Sequence, residues 1–205
     1  MLITLEGGEG AGKSTQARLL AAALDRAGRP ALLTREPGGA PGAEVLRGLL
    51  LSRAHDWAPS TEIHLHFAAR AEHLARTVQP ALAAGKVVVC DRFADSTMAY
   101  QGFGLGADRN LIAALTRLLP VRPDLTLVLH ASPAIAAARL AERQAALDRY
   151  EAMDAGFHAR VAAGFLDIAA AEPARCIVIP ADAGVDDVHR AVWAAIARRL
   201  PALAV

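Results

Sequence analysis

Short apolar runs alternate along this chain with longer stretches in which apolar positions recur every three or four residues. That alternation is expected of a parallel sheet covered by helices, because each crossover must carry the chain back to the same edge before the next strand. Five runs read as strands: Leu2–Glu6, Ala31–Thr34, Val87–Asp91, Leu125–His130 and Cys176–Pro180. Val87-Val88-Val89-Cys90 lacks polar alternation, as a strand buried on both faces requires. The helical stretches fall near Lys13–Ala27, Gly42–Leu51, Thr61–Gln79, Asp108–Leu118, Pro133–Gln144, Ala152–Ala171 and Val185–Leu200. Ser132-Pro133 supplies an N-cap and a first-turn proline, and Gly28 and Gly85 sit where left-handed C-caps are expected. No repeat or low-complexity linker divides the chain, so residues 1–205 are expected to form one α/β domain with a five-stranded parallel sheet. Ligands in such sheets bind at the carboxyl ends of the strands.

Composition narrows the function classes. With 54% hydrophobic and 21% charged residues, the chain is neither disordered nor fibrous. Its 22 basic and 21 acidic residues nearly cancel, which removes the electrostatic footprint of a dedicated nucleic-acid binder. Cys90 and Cys176 lie inside apolar runs and read as buried thiols in a reducing compartment. The N-terminus enters a strand directly, with no targeting pattern. The longest nearly uncharged stretch, Leu125 to Ala138, is too short to span a bilayer, so a cytoplasmic protein with no membrane partner is expected.

After the first strand comes Gly7-Gly8-Glu9-Gly10-Ala11-Gly12-Lys13-Ser14-Thr15, a match to G-x-x-x-x-G-K-[ST]. Backbone amides crowding a polyphosphate exclude side chains, which explains the glycines, and the following helix offers free amides and a positive dipole end. Lys13 places a charge on the outer phosphates and Ser14 offers a hydroxyl to magnesium. A nucleoside triphosphate would occupy the loop. Lysine occurs only at Lys13 and Lys86, against 20 arginines, yet one falls where the loop needs it. Glu9 would repel the phosphates unless it faces a second group bearing a donor, such as a sugar hydroxyl; an exposed loop acid is the alternative.

Neither lysine supplies the N-K-x-D motif of a guanine-nucleotide switch. A small-molecule kinase needs a second anion site and a lid that excludes water. Thr34-Arg35-Glu36-Pro37-Gly38-Gly39 ends the second strand with a cation and a glycine turn. Asp91-Arg92-Phe93 ends the third with an acid for magnesium and an arginine for phosphate. Arg139 and Arg143 stand one helical turn apart, with Asp148-Arg149-Tyr150-Glu151 shortly after.

Taken together with Phe67-Ala68-Ala69-Arg70, Ser96-Thr97-Met98-Ala99-Tyr100-Gln101-Gly102 and Pro123-Asp124-Leu125-Thr126-Leu127, this ordered set resembles the bacterial thymidylate kinase family over residues 1 to about 185. The resemblance implies a P-loop three-layer α/β/α kinase, with a mobile lid at about 139–152, that transfers phosphate from ATP to dTMP with Mg2+ and pairs as a homodimer. It implies that Glu9 meets the sugar 3′-hydroxyl, and that Arg92, with Arg35 and Arg47, holds the acceptor phosphate. Arg70 and Thr97 would meet the thymine, Tyr100 would crowd the sugar 2′ position, and Ser96 and Gln101 would complete the dTMP pocket. Asp91 and Ser14 would serve magnesium. Some members carry an arginine in the phosphate loop where this chain has Gly10; the branch lacking it is expected to use a lid arginine, here Arg143 or Arg149.

Two positions depart from the family pattern. The aromatic that stacks on the base usually lies four residues before the helix arginine; here that residue is His66, and Phe67 is three before, so either ring remains a candidate. The fourth strand usually ends in aspartate and here ends in His130. A broader nucleoside monophosphate kinase and a non-catalytic nucleotide-binding protein remain as rivals, distinguished by ribonucleotide turnover and by binding without transfer.

Overall fold

The computed structural model describes residues 1–142 and 148–203. Five parallel strands form one sheet in the order β2-β3-β1-β4-β5: β1 Leu2–Glu6, β2 Ala31–Arg35, β3 Val87–Asp91, β4 Leu125–His130 and β5 Cys176–Pro180. All five match the hydrophobic pattern, with β2 one residue longer than expected. β1 lies at the centre; Leu5 pairs with Asp91 of β3 and with Leu127 of β4, so the chemistry-bearing strand ends share one edge.

Helices cover both faces. α1 (Lys13–Arg26), α2 (Pro41–Leu51) and α3 (Pro59–His73) follow the first two strands. α3 continues through a wide π turn, Leu74–Val78, into α4 (Gln79–Ala83). The wide turn immediately precedes Pro80, which has no N–H for the α ladder and whose ring collides with the carbonyl four residues back. α6 (Arg109–Arg117), α7 (Pro133–Glu142), α8 (Ala155–Ala171) and α9 (Val185–Arg199) complete the layers. The last two positions of the helix expected at Pro133–Gln144, Arg143 and Gln144, lie outside the described residues. α8 begins three residues later than its apolar pattern suggests, because the Asp154 carboxylate caps it by accepting the Phe157 N–H at 2.7 Å.

One element was missing from the sequence pattern: α5 (Ala94–Thr97), which runs into a second π turn, Met98–Gly104. Tertiary packing holds it. A Cβ on Gly104 would stand 2.5 Å from Phe157, and one on Gly164 would stand 2.7 Å from Phe103, so both glycines permit the close approach of this segment to α8. The main core, including Ile3, Leu5, Leu20, Leu127, Val192 and Ile196, lies between β1, β3, β4, α1 and α9. A second cluster on α8, including Tyr100, Tyr150, Phe157 and Phe165, backs the cleft described next. Among the described residues no helix is long and apolar enough to cross a membrane.

Candidate active site

The phosphate loop joins β1 to α1, and its geometry explains its sequence. Gly7 and Gly10 adopt φ of +134° and +70°, and a Cβ on either would stand 2.2 Å from the Leu129 carbonyl oxygen or 2.3 Å from that of Ala136. No side chain caps α1, so its first-turn amides are open to an anion. Lys13 Nζ donates to the Gly8 carbonyl at 2.6 Å. Burial and the nearby Arg92 push its ammonium down to about 8, a penalty that a bound polyphosphate would relieve. Ser14 Oγ donates to Asp91 Oδ2 at 2.5 Å, while Asp91 Oδ1 is buried without a partner. A hydroxyl beside an unpaired carboxylate oxygen fits a magnesium ion whose other ligands are phosphate and water. Among the described residues no group of three or more His, Cys, Asp or Glu side chains comes together as a metal site.

Against the loop, Arg92 is the one non-glycine described residue with positive φ, at 70°. Such a conformation costs about 1–3 kcal/mol and persists only where neighbours enforce it. Arg92 N–H donates to the Leu5 carbonyl at 2.9 Å. The next turn is pinned by Glu6, whose buried carboxylate accepts the Phe93 N–H at 2.7 Å and the Ser96 hydroxyl at 2.5 Å. Burial, aided by Asp95, pushes Glu6 up to about 7. The Arg92 guanidinium spans to Gly7 O, Ser96 Oγ, Tyr100 OH and, at 2.7 Å, Glu9 Oε1. Tyr100 also donates to Glu9 at 2.8 Å. Burial opposes the charge on Glu9, but Arg92 and Lys13 outweigh it and hold the carboxyl down to about 2. Glu9 is therefore an ionised acceptor turned toward Arg92 and Tyr100.

A cleft of about 370 Å³ runs from this cluster to the opposite wall. Arg35 and Arg47 line it; Arg35 pairs with Glu44 at 3.2 Å, and Arg47 donates to the Pro37 carbonyl at 2.7 Å. At the far end Arg70 donates to buried Glu36 at 2.7 Å and to Thr97 Oγ1 at 3.1 Å, leaving Nη1 buried and unpaired. Gln101 is similarly placed, with Oε1 unpaired. A donor and an acceptor, both buried and both without partners on the cleft wall, are what a bound heterocycle would satisfy.

Residues 5–192 match the family model described as thymidylate kinase. A thymidylate kinase of Caulobacter vibrioides is 51% identical over 201 residues, covering 97% of this chain and 96% of its own. One from Gluconobacter oxydans is 54% identical over 179 residues, covering 85% and 84%. The crystal structure of thymidylate kinase from Ehrlichia chaffeensis superposes with a TM-score of 0.79 at 38% identity, covering 96% of this chain and 97% of that one. The chain belongs to the thymidylate kinase family.

The structure also separates the candidates this family pattern left open. His66 lines the cleft, whereas Phe67 turns into a core with Ile63, Ala107 and Ile112. Its ring lies 4.9 Å from the Arg70 guanidinium, so Phe67 supports Arg70 and stands outside the cleft wall, although the sequence reading kept it beside His66 as a candidate for dTMP binding. The cause is helical phase: Glu62, His66 and Arg70 share one face of α3, and Ile63 and Phe67 share the next. Burial, reinforced by Arg70, pushes His66 down to about 3, so its ring is neutral.

Arg149, expected as a catalytic lid arginine, does not reach the cleft. Its guanidinium pairs with buried Glu62 at 2.9 Å and lines a separate hollow with His55 and Asp56, because a buried carboxylate holds it there. Arg143 lies outside the described residues. Arg139 donates to the Ala181 and Ala183 carbonyls and braces the loop after β5. At the end of β4, His130 is exposed; the carboxylate at this edge is Asp182, which accepts the Ser132 N–H at 2.6 Å.

The sequence reading gave Glu36 and Tyr150 no role and passed over Glu62 altogether. The spacing Glu62, His66, Arg70, His73 was a visible signal: four polar residues on one helical face, all buried in the structure.

Proposed function

We propose that the chain transfers the γ-phosphoryl group of ATP to dTMP, giving ADP and dTDP. The observation that carries this reading is one cleft with a phosphate loop at one end, the Arg92–Glu9–Tyr100 cluster against that loop, and unpaired Arg70 Nη1 and Gln101 Oε1 farther along its wall. ATP phosphates sit on the loop amides and Lys13. Ser14 and Asp91 would hold a magnesium ion, which would neutralise phosphate charge. Arg92, with Arg35 and Arg47, holds the dTMP phosphate so that one of its oxygens lies in line with the γ-phosphorus. As that oxygen forms its bond, the bond to the ADP oxygen breaks and ADP carries away the electron pair. Glu9 accepts the 3′-hydroxyl, Tyr100 fills the space a 2′-hydroxyl would need, and His66, Arg70, Ser96, Thr97 and Gln101 surround the base. Catalysis is positioning and charge stabilisation, with no covalent intermediate on the protein.

Residues 1–205 act as one domain in which about 139–152 forms the lid. The enzyme works in the cytoplasm as a homodimer, a state checked by its mass in solution. The decisive assay is coupled ADP release with ATP and magnesium across dTMP, dUMP, UMP, CMP, AMP and GMP. Strong preference for dTMP is expected. Comparable turnover of several ribonucleotides, or ATP binding with no transfer to any of the six, would overturn the reading.

A further inference from the structure

Glu62 is 1% exposed, yet its carboxylate collects donors from two other segments of the chain. Oε1 accepts the Gln101 side-chain amide at 2.9 Å and the Tyr150 hydroxyl at 2.8 Å, and Oε2 forms an ion pair with Arg149 at 2.9 Å. Gln101 Nε2 also donates to the Tyr150 oxygen at 3.1 Å. Burial pushes the Tyr150 phenol up, so it keeps its proton and spends it on Glu62. The Tyr150 oxygen is then an acceptor on its remaining side, and His66 Nε2, 3.1 Å away, must be the donor.

The consequence falls on Gln101. A carboxylate only accepts, and the Tyr150 oxygen has no proton left for this direction, so both partners demand the NH2 end of the amide. The carbonyl end is forced the other way, and Gln101 Oε1 is the atom left buried without a partner. On the same cleft, Arg70 is locked by Glu36 and Thr97 with Nη1 unpaired. The Thr97 hydroxyl can donate or accept and does not discriminate. The lining of one cleft thus carries one fixed acceptor and one fixed donor. A keto pyrimidine offers the complement, a ring N–H next to a carbonyl. An amino pyrimidine offers the reverse, a ring lone pair next to an amino group. The phosphate end, held at Arg92, sets which way round that edge arrives.

We propose that Glu62 is a positioning residue for base selection: by seizing the Gln101 amide nitrogen, it turns the Gln101 carbonyl toward the base and makes the pocket accept keto and reject amino pyrimidine monophosphates. The proposal rests on the dTMP kinase reading and deepens it. In Glu62→Gln, the new amide can donate as well as accept, so Gln101 is free to turn over. The ratio of kcat/KM for dTMP to that for dCMP is then expected to fall about 10- to 100-fold, the scale of one mispaired buried group. KM for ATP should stay within about threefold, which general loss of structure would not allow. An unchanged ratio in folded E62Q overturns the proposal. Wild-type protein that does not phosphorylate dTMP overturns the function reading instead, so the two failures are distinguishable.

If E62Q does not fold, two measurements on stable protein decide. In the wild type, the Gln101 side-chain amide protons should be protected from solvent exchange by NMR, and Gln101→Met should lower the dTMP to dCMP ratio to a similar degree. Rapidly exchanging Gln101 amide protons, or Q101M with undiminished discrimination, would overturn the proposal.

Discussion

Replacing Arg92 by alanine separates the acceptor site from the donor loop. The guanidinium bonds Glu9, Tyr100, Ser96 and the Gly7 carbonyl from one side chain, so its planar fork is held ready for a phosphate. Removing it deletes the charge-assisted bonds to the acceptor and leaves ionised Glu9 beside the incoming dianion with Lys13 as its remaining cation. Truncating one member of a buried, hydrogen-bonded charge pair costs about 3–5 kcal/mol, which converts to a loss of roughly 10²- to 10⁴-fold in kcat/KM for dTMP. The loop loses its bonds from Arg92 at Gly7 and Glu9 but keeps its glycine backbone, Lys13 and Ser14, so ATP affinity should change less than threefold. Steady-state kinetics with each substrate varied in turn, together with ATP-analogue titration of the variant, measures both quantities. Arg92→Lys should fall between, because it restores charge without the fork. Near-normal dTMP turnover in R92A would refute the acceptor assignment, and parallel loss of ATP binding would refute the separation of the two ends.

Gly10→Arg tests why this chain lacks a loop arginine. A Cβ there would stand 2.3 Å from the Ala136 oxygen in a left-handed backbone, so α7 must shift. A destabilisation of about 2 kcal/mol or more is expected by denaturant unfolding, with reduced rather than enhanced turnover; a stable, faster enzyme would refute the packing argument. His66 gives a pH signature. It is neutral when folded, with a pKa near 3, but titrates at the ordinary histidine value when unfolded. The unfolded chain therefore binds the extra proton between about pH 6.5 and 3, and stability should fall as pH drops through that window. His66→Phe should flatten that part of the curve, and an unchanged slope would show that other groups carry it.

Much of the fold was legible because it is local. Strand runs, the loop glycines and the α1 start each depend on residues adjacent in sequence, and all five strands lie where the pattern put them. The segment 94–104 was not legible, since Ser96, Thr97, Gly102 and Gly104 make a poor helix that distant parts of the chain, α8, Glu6 and Arg70 among them, stabilise.

By itself the sequence determined the phosphate loop, the cations at the ends of β2 and β3, and the family motif order, because each is a short pattern whose chemistry needs those residue types at that spacing. It could not decide between His66 and Phe67. A helical repeat shows which positions share a face, but not what that face meets. Nor could it place Arg149, whose direction is decided by Glu62, 87 residues earlier. Buried charges choose their partners across the fold, since leaving one unpaired costs more than almost any local preference. The loop was therefore written in the chain, while the orientation of Gln101 and Arg70 toward the base was decided only when Glu62 and Glu36 were packed beside them.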